Sequence, residues 1–228
     1  MTTADAHHLD SPHVRVFLRP IGAPLTIGMA GLAIGSLVQA GLDLGWIAKT
    51  EGRHVGLILI VVPFVLQAFA SIYAYLARDG AAGASMGILA TTWLGLGVVH
   101  LTSSPGARSG ALGLLLLAAG GTLACSAAGV SIAKPLVGVI LTLAAARFAL
   151  SGIHELGGVQ AWMHAAGIVS CVVCGLAVYG VVAFEIEGQL HHPVLPTLRR
   201  GVGRTALAAG LDAQAREVEN EAGVRQTS

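Results

Sequence analysis

Residues 55–77 read VGLILIVVPFVLQAFASIYAYLA, with no Asp, Glu, Lys or Arg among them. A bilayer core of roughly 30 Å is crossed by about 20 apolar residues in a helix, so this run is long enough to span it. Stretches 20–42, 80–107, 109–133 and 156–184 are equally free of charge, and 135–153 contains a single charged residue, Arg147. Six transmembrane helices are predicted, near 24–48, 54–77, 81–101, 107–130, 132–153 and 158–184. The fold class is therefore an all-α membrane protein. The strict apolar–polar alternation of an outer-membrane barrel strand is not seen.

Composition agrees with this reading. Of 228 residues, 54% are hydrophobic and 11% charged, where soluble domains carry roughly 25% charged residues. A mean hydropathy of +0.75 leaves too little polar surface to coat a soluble fold. A net charge of +1 argues against a nucleic-acid partner, which calls for concentrated basic patches. Membrane lipids are the expected surroundings.

The opening residues MTTADAHHLDSPHVRVFLRP lack a basic segment followed by an apolar one, so the first helix is expected to act as its own insertion signal. Three regions are expected: an irregular N-terminus (1–18), a six-helix membrane domain (19–190) and a C-terminal tail (191–228). Arg15, Arg19, Arg78, Lys134, Arg199, Arg200, Arg204, Arg216 and Arg225 fall on the side of the termini, against Lys49, Arg53 and Arg108 on the other. This bias puts both termini in the cytoplasm of a cell whose inner (plasma) membrane the chain spans.

No catalytic set is apparent, so an enzyme is not expected, nor a cofactor. Cys171 and Cys174 have redox spacing but sit mid-helix without a basic neighbour to lower a thiol pKa. His7, His8 and His13 lack a scaffold that would hold a metal, and no glycine loop suits a phosphate. Pro63 and Pro135 are read as kinks near the ends of helices two and five. The 31 glycines include the spaced pairs Gly31/Gly35, Gly41/Gly45, Gly83/Gly87 and Gly106/Gly110. Small residues at that spacing let membrane helices pack closely, within one bundle or between subunits.

Ionisable residues at membrane depth raise a functional hypothesis by default. Arg147 keeps its charge and needs a partner, water or an anion. Counted inward from Ile153 and Gly157, Arg147 and His164 lie at comparable depth on consecutive antiparallel helices, which suggests the outer end of an anion path. A structural interhelix hydrogen bond is the competing account. Gln39, Gln67, Thr91, Thr92, Thr142 and Tyr179 would line a conduit or bond neighbouring helices. His100, His154 and Glu155 fall at helix ends, where headgroups and water would satisfy them.

Several landmarks together are similar to the acetate uptake transporter family, which includes the bacterial succinate–acetate permeases. The first helix is entered through R-P-I-G-A-P-L-T-I-G-M-A-G, residues 19–31. Ala23, Pro24 and Leu25 match the A-P-L core of the family signature N-P-A-P-L-G-L, whose Asn and first Pro fall on Ile21 and Gly22. Gln67-A-Phe69-Ala70, Trp93-Leu94, the run from His164 to Tyr179 and Val194-Leu195-Pro196 follow in the family's order.

The resemblance implies a six-helix protomer in a homo-hexameric ring, each protomer with its own conduit for acetate, related monocarboxylates or succinate, worked as a proton symporter or an anion channel. It places the substrate near the Ala23–Pro24–Leu25 turn, where helix-end amides favour a carboxylate. The side chains that narrow the family's path fall near Ala30, Leu89 and Thr142, none of them aromatic. Candidate binding residues are thus Ala23, Pro24, Leu25, Arg147 and His164, with Ala30, Leu89 and Thr142 at the constriction. A channel for a neutral solute such as ammonia and a non-transporting membrane scaffold stay open as alternatives.

Overall fold

The computed structural model describes residues 22–190, 192 and 194–201. The 1–18 region, the three N-terminal histidines and the tail beyond residue 201 lie outside the described residues.

Among the described residues, six helices are long and apolar enough to cross a membrane: α1 (Pro24–Asp43), α2 (Lys49–Leu76), α3 (Gly80–Thr102), α4 (Gly110–Ala133), α5 (Pro135–Gly157) and α6 (Gln160–Leu190). Their ends have local causes. Pro24 and Pro135 occupy first-turn positions of α1 and α5, where a missing N–H costs nothing. Asp79 Oδ1 accepts from Ala82 N at the start of α3, and Ser109 Oγ from Leu112 N at the start of α4, each meeting one of a helix's orphan amides. Gly158, at φ +76°, ends α5 in the left-handed conformation that favours glycine.

Several details depart from the sequence reading, Pro135 among them, which opens α5 at its first turn instead of kinking it, and α5 runs on to Gly157. α1 stops at Asp43 rather than running to 48, because Gly45 at φ +75° turns the chain and Ile47 N donates to Gly41 O. α6 continues past 184 because Glu187, 4% exposed, is met by Thr197 and Arg199. Pro63 sits mid-helix, buried inside a π-helical segment, Ile60–Phe64. The wider turn accommodates a ring that cannot donate to the ladder.

Each helix packs on its sequence neighbours and α6 closes against α1, making a ring of six. Glycine brings the walls together. A Cβ on Gly56 of α2 would lie 2.6 Å from Gly97 O of α3, and one on Gly152 of α5 would lie 2.9 Å from Gly113 O of α4. Of the spaced pairs, Gly31/Gly35 and Gly83/Gly87 are packed against α2 side chains, whereas Gly45 and Gly106 serve turns at positive φ. The interior is filled by Met29, Met86, Leu89, Trp93, Ile140, Leu141 and Phe148, all buried.

Both ends of the described chain lie at one end of the ring, the termini end; the turns near 44–52, 103–109 and 158–159 form the opposite, loop end. At the termini end residues 194–201 fold back. Arg200 N donates to Ala133 O and Tyr179 Oη to Pro196 O. Arg199 pairs with Glu187 and lies over Phe184.

Candidate functional site

Three helices carry polar residues on one inward face at spacings of three, four and seven. These are Ser36, Gln39 and Asp43 on α1; Trp93 and His100 on α3; and Arg147, Ser151 and His154 on α5. Such spacing stacks side chains one turn above another. Where the stripes converge, at the loop end, a pocket of about 80 Å³ opens, with lining from all six helices. Lys49, Arg53, Arg108 and Arg147 face Asp43 and Glu155 around it, so the basic side chains outnumber the acidic ones two to one.

Arg147 is the base of this pocket. It is 2% exposed, its Nε donates to Ser170 Oγ at 2.9 Å, and its Nη1 is buried with no protein partner. The guanidinium carbon lies 4.9 Å from the Trp93 ring centroid and 4.7 Å from that of Phe148. The two rings meet edge to face at 5.7 Å. Aromatic faces offset part of the lost hydration of a cation, but they leave its remaining N–H groups free to bond a solute. Because α5 runs to Gly157, Arg147 sits ten residues from the helix end, about 15 Å deep at 1.5 Å per residue. That is nearer mid-bundle than the count from Ile153 implied.

Asp43 approaches from α1. It is 3% exposed; Oδ1 accepts from Gln39 Nε2 at 2.7 Å, and Oδ2 has no protein partner. Gln39 Oε1 then faces His100 Nε2 at 3.2 Å. A carboxylate only accepts, so the Gln39 amide must turn its NH2 to Asp43 and its oxygen to His100. His100 therefore carries its proton on Nε2. On α5, His154 Nδ1 donates to Val159 O at 3.0 Å, and Glu155 Oε2 accepts from Ser109 N at 2.7 Å. His100, His154 and Glu155 thus belong to the pocket wall, with protein partners, rather than to the headgroup level expected for them.

The other candidates are spread along the chain's length. His164 is exposed on α6 and does not line the pocket. It lies six residues before Ser170, which turns it about 120° away from the face that meets Arg147. The Ala23–Pro24–Leu25 turn lies at the termini end, across the bundle from Arg147. Ala23 is exposed and extended, Pro24 begins α1, and Leu25 is buried in the core. Of the constriction residues, Leu89 is fully buried one turn below Trp93, Ala30 is half-buried, and Thr142 is exposed with Oγ1 donating to Gly138 O. Beside Arg147, the aromatic pair Trp93 and Phe148 is fully buried in the interior. Cys125, Cys171 and Cys174 are free thiols. No group of three metal-ligating side chains occurs among the described residues.

No protein-family model matches the chain, and no curated protein matches it. Among solved structures, the bacterial acetate channel SatP is similar, with a TM-score of 0.69 at 20% identity, the match covering 78% of this chain and 99% of that one. Identity at this level speaks to architecture. The chain is a multi-pass, all-helical membrane protein that shares the fold of that channel.

Proposed function

We propose that the chain conducts small monocarboxylates across the cell's inner membrane, with acetate the reference substrate. In this reading it works as a homo-hexamer with both termini in the cytoplasm and the loop-end pocket facing outside. One observation carries the proposal: a buried guanidinium with an unpartnered N–H at the base of a basic-rimmed pocket, inside a ring that shares its fold with an acetate channel. A carboxylate entering this pocket exchanges water for Arg147, a charge-assisted contact roughly twice as strong as a neutral one. Beyond it the solute must displace Trp93, Phe148 and Leu89, and it would leave past the Ala23–Pro24–Leu25 turn.

The test is radiolabelled acetate uptake into proteoliposomes, first under an imposed pH gradient and then under an imposed voltage. Saturable uptake, absent from empty liposomes and blocked by excess propionate, is the expected result. The driving force that moves it separates symport from channel conduction. Folded, oligomeric protein that gives no flux above empty liposomes would overturn the proposal.

A further inference from the structure

The pocket presents two buried groups of opposite charge, and each keeps one atom without a protein partner: Arg147 Nη1 and Asp43 Oδ2. Both line this one pocket, and each is tied back by its own neighbours. Ser170, Trp93 and Phe148 hold Arg147; Gln39, itself anchored by His100, holds Asp43. A plain carboxylate satisfies the arginine but turns its lone pairs toward those of Asp43.

Resting on the monocarboxylate reading above, we infer that the pocket selects short 2-hydroxy acids over plain acids, with the carboxylate on Arg147 and the adjacent hydroxyl donating to Asp43 Oδ2. The hydroxyl converts a repulsive contact into a hydrogen bond and satisfies both orphan atoms at once. A site built to bond a substrate hydroxyl discriminates strongly against the analogue that lacks it, because a buried polar group is then left unpaired. Size agrees. A pocket of about 80 Å³ has room for about five to eight water-sized groups, which suits glycolate or lactate. A zwitterionic amino acid also offers a donor beside its carboxylate, but the excess of basic over acidic groups around the pocket disfavours its ammonium.

Competition against labelled acetate uptake by the wild-type protein in proteoliposomes tests this directly. Glycolate is expected to compete at a roughly ten- to hundredfold lower concentration than unlabelled acetate or propionate. D43N sharpens the test. Gln39 Nε2 holds the acceptor at the Oδ1 position, so the new amide NH2 takes the place of Oδ2 and becomes a donor. The ratio of glycolate to acetate potency should then fall to about one or below. Equal potency of glycolate and acetate in the wild type overturns the inference while leaving monocarboxylate transport standing. So does an unchanged ratio in folded D43N, or glycine competing better than glycolate. Absence of all carboxylate flux overturns the transport reading itself, and this inference with it.

Discussion

Replacing Arg147 by methionine separates a transport role from a structural one, because a structural arginine predicts a loss of stability and a transport arginine a loss of flux. The substitution keeps an unbranched side chain between Trp93 and Phe148 and removes the charge. What is lost is the bond to Ser170, about 1.5–3 kcal/mol for a charged donor, and two ring contacts of about 0.5–2 kcal/mol each. What is gained is relief from burying a cation with one N–H unpartnered and no ion pair in contact, a penalty of several kcal/mol. Ser170 Oγ still donates to Ala166 O at 2.8 Å, so it is not orphaned. The terms nearly cancel, and R147M should unfold within about 2 kcal/mol of the wild type, in either direction. Acetate flux below saturation should nonetheless fall about 10- to 150-fold, the equivalent of one lost charge-assisted bond to the solute. Thermal unfolding in detergent and proteoliposome uptake, measured on one preparation, give both numbers. R147M with wild-type flux would refute the reasoning. So would a destabilisation above about 4 kcal/mol with flux that simply tracks the folded fraction.

Two further outcomes follow from packing and tethering. E187A removes the acceptor shared by Thr197 and Arg199, so trypsin should cut after Arg199 or Arg200 faster than in the wild type; an unchanged cleavage rate would mean the backfolded segment is held by its backbone bonds alone. G56V drives a side chain into the carbonyl of Gly97 across the α2–α3 contact and should cost about 1–3 kcal/mol of stability, read as a lower unfolding midpoint, whereas an unshifted midpoint would show that this crossing can widen freely.

The six spans were legible because a bilayer demands length and apolarity, and the stretches from 20–42 to 156–184 supply both in the one-dimensional sequence. Their ends were less so. Trp46 and Ile47 are as apolar as the helix before them, and only the positive φ of Gly45 shows that the chain has turned. At the other end, Glu185 and Glu187 end the hydropathy signal but not the helix, since the partners of Glu187 return from residues 197 and 199.

Arg147 stood out for the cost of burying it, and it lies at the base of the pocket. His164 was matched to it on depth alone, a quantity that ignores which way a helix faces; rotation of α6 brings Ser170 to the arginine instead. Asp43, Gln39 and His100 carried a readable signal in their spacing along α1 and α3. It was masked by their nearness to helix ends, where water is the simpler partner. Thr142 shows the converse: a polar residue at membrane depth whose hydroxyl bonds its own helix at Gly138 and needs no interior.

The distribution of unsatisfied polarity argues that this interior is more than a packing core. Among the described residues, Ser36 Oγ, Asp43 Oδ2, Gln67 Oε1, Trp93 Nε1 and Arg147 Nη1 are buried without protein partners. A buried polar group left unpaired costs about 1–3 kcal/mol, so the five together cost about 5–15 kcal/mol, as much as the whole stability of an ordinary domain. They are not scattered. Gln67 lies beside Gly31 and donates to Gly28 O, Trp93 packs against Gly35, and Asp43 is about two turns beyond Gly35 on α1. From Gly31 to Asp43 that inner face covers about 18 Å. A bundle selected only for cohesion would gain by replacing each of these groups with an apolar one. A conduit has a different requirement: a carboxylate shedding water needs replacement donors along its route, which Ser36 Oγ, Trp93 Nε1 and Arg147 Nη1 can supply, whereas Asp43 Oδ2 and Gln67 Oε1 accept and suit a hydroxyl or water travelling with it. Close glycine contacts between the walls, at Gly56/Gly97 and Gly113/Gly152, supply the packing that lets the ring tolerate the burden.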